Sequence, residues 1–107
     1  MSVTLRDAQH LCWKNFRTIN DKLDPERGKK WTSAVTVSEI LEESSMVRAA
    51  VEDMEVLKTE EKPKTNEKLA KELSNLLYLI LVLAEHYKIE LEESFLQTVN
   101  DLIISRL

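Results

Sequence analysis

The stretch KELSNLLYLILVLAE, residues 71 to 85, decides the fold. Nine consecutive apolar residues, Leu76 to Ala84, follow directly on the polar residues Glu72 and Asn75. A helix that is apolar on all sides is buried on all sides. The run is too short to cross a bilayer, which takes about 20 residues. We therefore expect a buried helix in a globular protein, with a carboxylate and an amide one turn apart at its entrance.

The whole chain has the composition of a helical protein. Of its 107 residues 43% are apolar and 32% charged, with one Gly and two Pro, a profile that suits a helix bundle rather than a sandwich or a barrel. Apolar residues recur at the three- and four-residue steps of amphipathic helices. A chain of this length is expected to form a single domain, 1–107. The predicted helices cover 4–23, Thr32 or Ser33 to about Leu57, Thr65 or Asn66 to about Tyr87, and roughly 91–105, with loops at 24–30 and 58–65.

The apolar run also indicates an assembly. Four helices of this length cannot easily surround one of their own members, so a second subunit packing against the third helix is the simplest way to bury it. We therefore expect an all-α four-helix bundle assembled across a dimer interface, as a homodimer or a tetramer. The open alternative is a monomer in which the third helix is central.

Charge and composition limit the partners and the location. The net charge is -4 and the 15 Lys and Arg residues form no basic block, so nothing attracts the chain to nucleic acid. The N-terminal sequence MSVTLRDAQH has charges where a signal peptide needs an apolar core. The single cysteine, Cys12, excludes an intramolecular disulfide framework. We expect a soluble cytoplasmic protein that binds neither nucleic acid nor a membrane.

Carboxylates are expected to converge between the second and third helices. The stretch EILEESSM, residues 39–46, places Glu39, Glu42 and Glu43 within about one turn. In an antiparallel hairpin, Glu42 or Glu43 can approach Glu72. Converging carboxylates repel one another beside an apolar core, and Mg²⁺, which prefers oxygen ligands and keeps waters that a phosphate can replace, would remove that repulsion. The alternative is that these glutamates are solvated surface residues with lysines as partners.

Four stretches of the chain follow one another in an informative order and spacing. They are WTS (31–33), ILEESSMVRAAV (40–51), KELSNLLYLILVLA (71–84) and KIELEES (88–94). Together they resemble the all-α nucleotide pyrophosphohydrolases of the MazG type, in which Glu-x-x-Glu on one helix is followed by Glu-x-x-Asp in a pattern like E-E-L-A-D-V-L-x-Y-L-x-x-L-A. The likeness covers about residues 10–105.

The resemblance implies a fold, an activity and a set of ligands. The fold would be a MazG-like four-helix arrangement, and the activity a Mg²⁺-dependent conversion of a ribo- or deoxyribonucleoside triphosphate to its monophosphate and pyrophosphate. At the matching positions, Glu43 and Glu72 would be the catalytic metal ligands. Asn75 would support them, with Glu42 or Glu39 as a further carboxylate.

The chain departs from the family pattern at several functional positions. Met46 stands where the second Glu of the first motif belongs, and Asn75 replaces the Asp of the second. A thioether is a soft ligand and a poor partner for magnesium, and an amide oxygen coordinates without charge. The family's Lys and Asn on the last helix would fall near Asp101 and Leu102, and neither matches.

A second alignment of the first motif is less consistent with the family. It places Thr36 and Glu39 at the ligand positions and makes the gap to Glu72 longer than the family usually has. The geometry of the carboxylates discriminates between functions. Catalysis is favoured if Glu43 and Glu72 point together into a cleft with a further glutamate, and disfavoured if Met46 seals that space.

Two residues before the second helix are candidates for substrate binding. Trp31 could line a base-binding pocket, as aromatic residues in the MazG family can do, and Lys30 lies in the basic cluster of the first loop, where it could approach phosphates. Packing of Trp31 against the bundle and simple solvation of Lys30 are the alternatives.

Two functions from different classes therefore stay open. The chain is either a MazG-like nucleotide pyrophosphohydrolase or a catalytically inactive dimer of the same fold that serves as a nucleotide-binding or protein-interaction module. The family resemblance favours the enzyme, whereas Met46 and Asn75 at ligand positions favour the inactive module.

Overall fold

The computed structural model describes residues 2–26, 31–56 and 62–106, and within them the protein is all-α. The principal elements of these residues are four α-helices and one π-helical turn, and no strand occurs among them. None of these helices is long and apolar enough to cross a membrane. The all-α class is confirmed, whereas the MazG-like arrangement and the dimer interface stay predictions. The elements are α1 (Leu5–Arg17), the π-helical turn (Thr18–Leu23), α2 (Ser33–Val56), α3 (Lys62–His86) and α4 (Leu91–Ser105).

A capping box formed by Thr4 and Asp7 opens α1. The Asp7 backbone N–H donates to Thr4 Oγ1 (3.1 Å), and the Thr4 backbone N–H donates to Asp7 Oδ2 (3.3 Å). The two side chains thereby satisfy two of the backbone donors that have no acceptor within the first turn of a helix. The cap explains why the first helix begins at Leu5, one residue after the predicted start.

The helix predicted over 4–23 changes its geometry after Arg17. Asn20 Nδ2 donates to the Phe16 carbonyl at 2.9 Å. A side chain that bonds the carbonyl four residues back competes with the backbone N–H for the same acceptor. The chain widens here into the π-helical turn Thr18–Leu23. Apolar spacing does not indicate such a turn, because a polar side chain contributes to it.

At its N-terminus α3 is longer than the sequence predicts. It begins at Lys62, with Pro63 in its first turn. Proline is tolerated there because the first backbone N–H groups of a helix have no acceptor within it. The rest of the predicted linker, 58–61, lies outside the described residues, as does most of the first loop, 27–30.

The chain divides into two compact units. The first unit combines Met1–Lys30 with Leu81–Leu107, and the second unit is Trp31–Ile80. The first unit thus contains α1, the end of α3 and α4, and the second contains α2 and the larger part of α3. The single domain over 1–107 stays a prediction.

In the first unit, the side chain of Gln9 in α1 forms hydrogen bonds with the end of α3, the segment that connects α3 to α4, and the start of α4. Its side chain is 1% exposed. Nε2 donates to Glu85 Oε1 (3.0 Å) and to the Ile89 carbonyl (2.6 Å), and Oε1 accepts from the Leu91 backbone N–H (3.1 Å). The buried amide is therefore satisfied at both ends, and α1 is fixed to the start of α4.

The apolar run of α3, Leu76 to Ala84, is buried unevenly. Leu81 and Val82 are almost completely buried within the chain, whereas Leu77 and Ile80 are 51% and 39% exposed. The chain itself covers the end of the run, and its earlier part keeps an exposed apolar side. Burial of that side against a second subunit stays a prediction.

Candidate functional site

Three glutamates, Glu39, Glu43 and Glu72, lie among the less exposed residues of the helices that form the second unit. Such residues recur along α2 at three- and four-residue steps, and Glu43 is one of them. Glu72 has the same kind of position on α3 and is only 6% exposed. Glu43 and Glu72 therefore each lie on the mostly apolar, less exposed face of their helix. The less exposed residues include Thr36, Ile40, Glu43, Val47 and Ala50 on α2 and Leu69, Glu72, Leu76 and Leu79 on α3.

The carboxyl groups of Glu43 and Glu72 meet between α2 and α3. They lie within hydrogen-bonding reach of each other, and Asn75 reaches Glu43 from the next turn of α3. The Oε2 atoms of both glutamates are buried, and neither has a hydrogen-bond partner within the part of the chain that the structure describes. Ionised carboxylates accept hydrogen bonds but donate none. A hydrogen-bond donor, such as a shared proton or a water molecule, or a cation would satisfy these oxygens.

The contact with Glu72 raises the pKa of Glu43 above that of an ordinary glutamate. The hydrogen bond between the two carboxyl groups is the largest cause, and burial and repulsion by the charge of Glu72 act in the same direction. The Asn75 amide lowers this pKa through its own hydrogen bond, and the charge of Glu42 raises it. Glu43 therefore keeps its proton to a higher pH than an isolated glutamate does.

The oxygens of the pair fit one type of metal site. Magnesium is often held by one or two carboxylates together with water and substrate phosphates, rather than by a complete cage of protein atoms. The two buried, unpartnered Oε2 atoms of Glu43 and Glu72 match that requirement. Among the described residues, no three His, Cys, Asp or Glu side chains are grouped to hold a metal ion. The pair suits a magnesium ion completed by water and phosphate, and does not suit a closed structural metal site.

The other carboxylates predicted to join the pair stay outside it. Glu42 is exposed and acts on Glu43 through its charge, and Glu39 is partly exposed one turn before Glu43. Met46, which stands at one of the ligand positions that the resemblance implies, is 43% exposed. The structure brings two carboxylates and the exposed Asn75 together, and no carboxylate replaces those of the family pattern that are missing at Met46 and Asn75.

The two candidates for substrate binding are placed differently. Trp31 is partly exposed, and its Nε1 donates to Thr36 Oγ1 at 3.0 Å. Because Thr36 is completely buried, this hydrogen bond ties the indole to the first turns of α2. Lys30 lies outside the described residues. Binding of a base by Trp31 and of phosphate by Lys30 stays a prediction.

Sequence reasoning did not single out a second buried carboxylate, Glu85 in the first unit. His10 Nδ1 lies 3.1 Å from Glu85 Oε1, and His10 Nε2 lies 3.4 Å from Glu90 Oε1. Glu85 directly follows the apolar run, and a charged residue that continues a buried helix was the available signal. Gln9 and His10 of α1 both contact the Glu85 carboxylate. Glu85 therefore stabilises the packing of α1 against the end of α3, and it is not an unoccupied ligand for a metal ion.

Comparison with known proteins adds no relative to this description. No family model matches the chain, and no curated protein or solved structure is significantly similar to it.

Proposed function

We propose that this chain is a MazG-like nucleotide pyrophosphohydrolase that binds Mg²⁺ and a nucleoside triphosphate at Glu43 and Glu72. The observation that supports the proposal is the pair of buried carboxylate oxygens without a partner. They belong to the two residues that the resemblance assigns to metal binding. The substrate would be a ribo- or deoxyribonucleoside triphosphate, and the products its monophosphate and pyrophosphate.

The chemistry follows from the two glutamates and the amide beside them. Glu43 and Glu72 would hold the ion from opposite helices, and when bound it would polarise the phosphate chain and activate the water that attacks between the α- and β-phosphates. The Asn75 hydrogen bond orients the Glu43 carboxylate and favours its ionised form. Glu42 adds negative charge nearby, and Glu39 is the partly exposed carboxylate one turn away.

A second function is favoured because two of the carboxylate ligands that the resemblance implies are absent from this sequence. Met46 and Asn75 occupy two of the four ligand positions that the resemblance implies, and Glu39 and Glu42 do not close the gap in the described geometry. With two anionic ligands the site would bind magnesium weakly. The alternative is therefore a catalytically inactive MazG-fold module that binds a nucleotide or a protein.

We further propose that the protein acts as a homodimer or a dimer of dimers in the cytoplasm, where nucleoside triphosphates are present. We do not propose nucleic acid or a membrane as a partner, because a chain with a net charge of -4 has no electrostatic attraction to either.

The first experiment is calorimetric titration of Mg²⁺, with and without a non-hydrolysable nucleoside triphosphate. Glu72→Gln removes one of the two carboxylates and is expected to weaken magnesium binding by about 10-fold or more. Glu67→Gln on the exposed side of α3 is the matched control and should bind as the wild type does. Absence of binding heat at millimolar magnesium, with and without nucleotide, would contradict both the metal site and the enzyme.

An activity measurement separates the two functions. Wild type and Glu72→Gln are incubated with the common ribo- and deoxyribonucleoside triphosphates and Mg²⁺, and released pyrophosphate is measured. The enzyme predicts release by the wild type and its loss in the variant. Magnesium-dependent nucleotide binding without release identifies the inactive module.

A further inference from the structure

Among residues 2–26, 31–56 and 62–106, none covers the outer face of α4. None of the residues of Leu91–Ser105 is buried, although the helix carries apolar residues at three- and four-residue steps. Their exposed fractions lie between 39% and 61%. A continuous apolar face of this kind on a soluble domain marks an interaction surface. The residues of this face, called the α4 face below, are Phe95, Leu96, Val99, Leu102 and Ile103.

The α4 face is symmetric about Val99. Leu96 and Phe95 precede Val99 by three and four residues, and Leu102 and Ile103 follow it by three and four. If two copies of α4 pair antiparallel with their Val99 residues opposite each other, the early pair of one copy faces the late pair of the other. A two-fold symmetric interface needs such a self-complementary surface.

The shape of the helix fits the same pairing. Val99, Leu102, Ile103 and Arg106 line one concave surface of the first unit. Four residues at these intervals form the hole that receives one side chain of a facing helix in knobs-into-holes packing. In the antiparallel arrangement, the side chain of the second copy that lies opposite this hole is Phe95. The largest residue of the α4 face thus meets the concave surface of the same face.

The charges at the two ends of α4 favour antiparallel over parallel pairing of the two copies. Glu92 and Glu93 precede the apolar residues and Arg106 follows them. Antiparallel pairing brings Arg106 of each copy beside Glu92 and Glu93 of the other, and it also opposes the two helix dipoles. Parallel pairing would place like charges together at both ends. Glu92 already pairs with Arg6 at 3.5 Å, and Glu93 is exposed.

We propose that the α4 face is the self-association surface of this protein, occupied by α4 of a second copy in antiparallel orientation about a two-fold axis at Val99. This inference deepens the self-association part of the proposed function. The α4 face contains neither glutamate of the pair. Self-association through α4 can therefore be disproved while magnesium binding is confirmed, and magnesium binding can be disproved while self-association is confirmed. It also differs from the sequence-based expectation, in which the apolar run of α3 carries the interface.

Sedimentation equilibrium of the full chain tests the surface. The wild type is expected to be dimeric at micromolar concentrations, and Val99→Asp is expected to raise the dimer dissociation constant by about 100-fold or more, because it places two carboxylates against each other on the axis. Leu77→Asp on α3 is the matched control, since Leu77 is exposed to a similar degree. It should leave the dissociation constant unchanged. Circular dichroism establishes that both variants keep their helices.

A charge exchange tests the orientation without altering the apolar residues. Arg106→Glu is expected to weaken the dimer by about 10-fold, and adding Glu93→Arg should restore it. A monomeric wild type, dissociation by Leu77→Asp but not by Val99→Asp, or no recovery in the double variant would each overturn the proposal. Magnesium titration of Val99→Asp distinguishes this failure from that of the glutamate pair, because that pair lies in the second unit.

Discussion

A buried carboxylate oxygen without a donor destabilises a protein, and Glu43 and Glu72 each carry one such atom. At the scale of single residues this is the most informative feature of the chain. It accounts for the raised pKa of Glu43 through contact with Glu72. It also gives a physical reason for binding a cation, since an ion at this point would satisfy both oxygens at once.

The first residue-scale prediction concerns Glu43→Gln in the absence of metal. The wild-type native state holds the shared proton more tightly than the unfolded chain, because the native pKa of Glu43 is raised. Wild-type stability therefore falls as the pH rises from the ordinary glutamate pKa through the raised value. The variant escapes this loss and its amide can donate to Glu72, so near neutral pH it should be more stable by about 1 kcal/mol.

Urea unfolding with a chelator present measures this difference at acidic and neutral pH. At a pH below both pKa values the advantage of the variant should shrink, because Glu43 is then protonated in both states. Glu42→Gln, at an exposed neighbouring position, is the control and should change stability only slightly. Equal or lower stability of Glu43→Gln near neutral pH would argue against a shared proton.

At the scale of helices, polar side chains decide what apolar spacing leaves open. Gln9 holds the start of α4 against α1 through three hydrogen bonds, and Asn20 bonds the Phe16 carbonyl within the π-helical turn. Neither residue belongs to the apolar series that predicts the first helix. Gln9 follows Ala8 and Asn20 follows Ile19, both apolar residues at these steps, and both polar side chains are almost completely buried.

Gln9→Ala is expected to lower the free energy of unfolding by about 2 to 3 kcal/mol. The substitution leaves the Leu91 backbone N–H and the Ile89 carbonyl without their partner and removes a donor from Glu85. Gln97→Ala is the matched control, because Gln97 is exposed and bonds only Asp101 among the contacts described, at 2.9 Å. A similar small effect of both substitutions in urea unfolding would contradict the role given to Gln9.

The predictable part of the structure is the part that apolar periodicity controls. Three- and four-residue spacing predicts the all-α class and the approximate bounds of all four α-helices. The antiparallel hairpin predicts that Glu42 or Glu43 approaches Glu72, and the structure has Glu43 in contact with it. The choice between neighbouring glutamates depends on the rotation of α2 about its axis, which spacing leaves undetermined to within about one residue.

Other features were out of reach of the sequence for identifiable reasons. The π-helical turn depends on a side chain bonding to a carbonyl, and the environment of Glu85 depends on residues of α1 more than 70 positions away. The exposed face of α4 could not be separated from a buried one, since both have the same apolar spacing. Tertiary contacts decide these cases.

At the scale of the whole molecule, self-association ties stability to concentration. If two copies pair through α4, ligand-like mass action stabilises the folded chain, and the midpoint of thermal unfolding should rise with protein concentration. Val99→Asp should abolish this dependence while Leu77→Asp keeps it. Calorimetric scans over a 100-fold dilution series measure this dependence. By mass action, a 100-fold change in concentration changes the apparent stability of the folded dimer by about 2 to 3 kcal/mol. A midpoint independent of concentration in the wild type would contradict the assembly.

The hydrogen bonds of Gln9 also constrain how the chain is made. Its partner Leu91 is 82 positions later in the sequence, and translation at about 5 to 20 residues per second separates the two by about 4 to 16 seconds. During that interval α1 has emerged from the ribosome with Phe16 uncovered, and the residues that will fix it have not been synthesised. The first helix can therefore make this contact only after residue 91 has been synthesised, and until then it is accessible to chaperones that bind nascent chains.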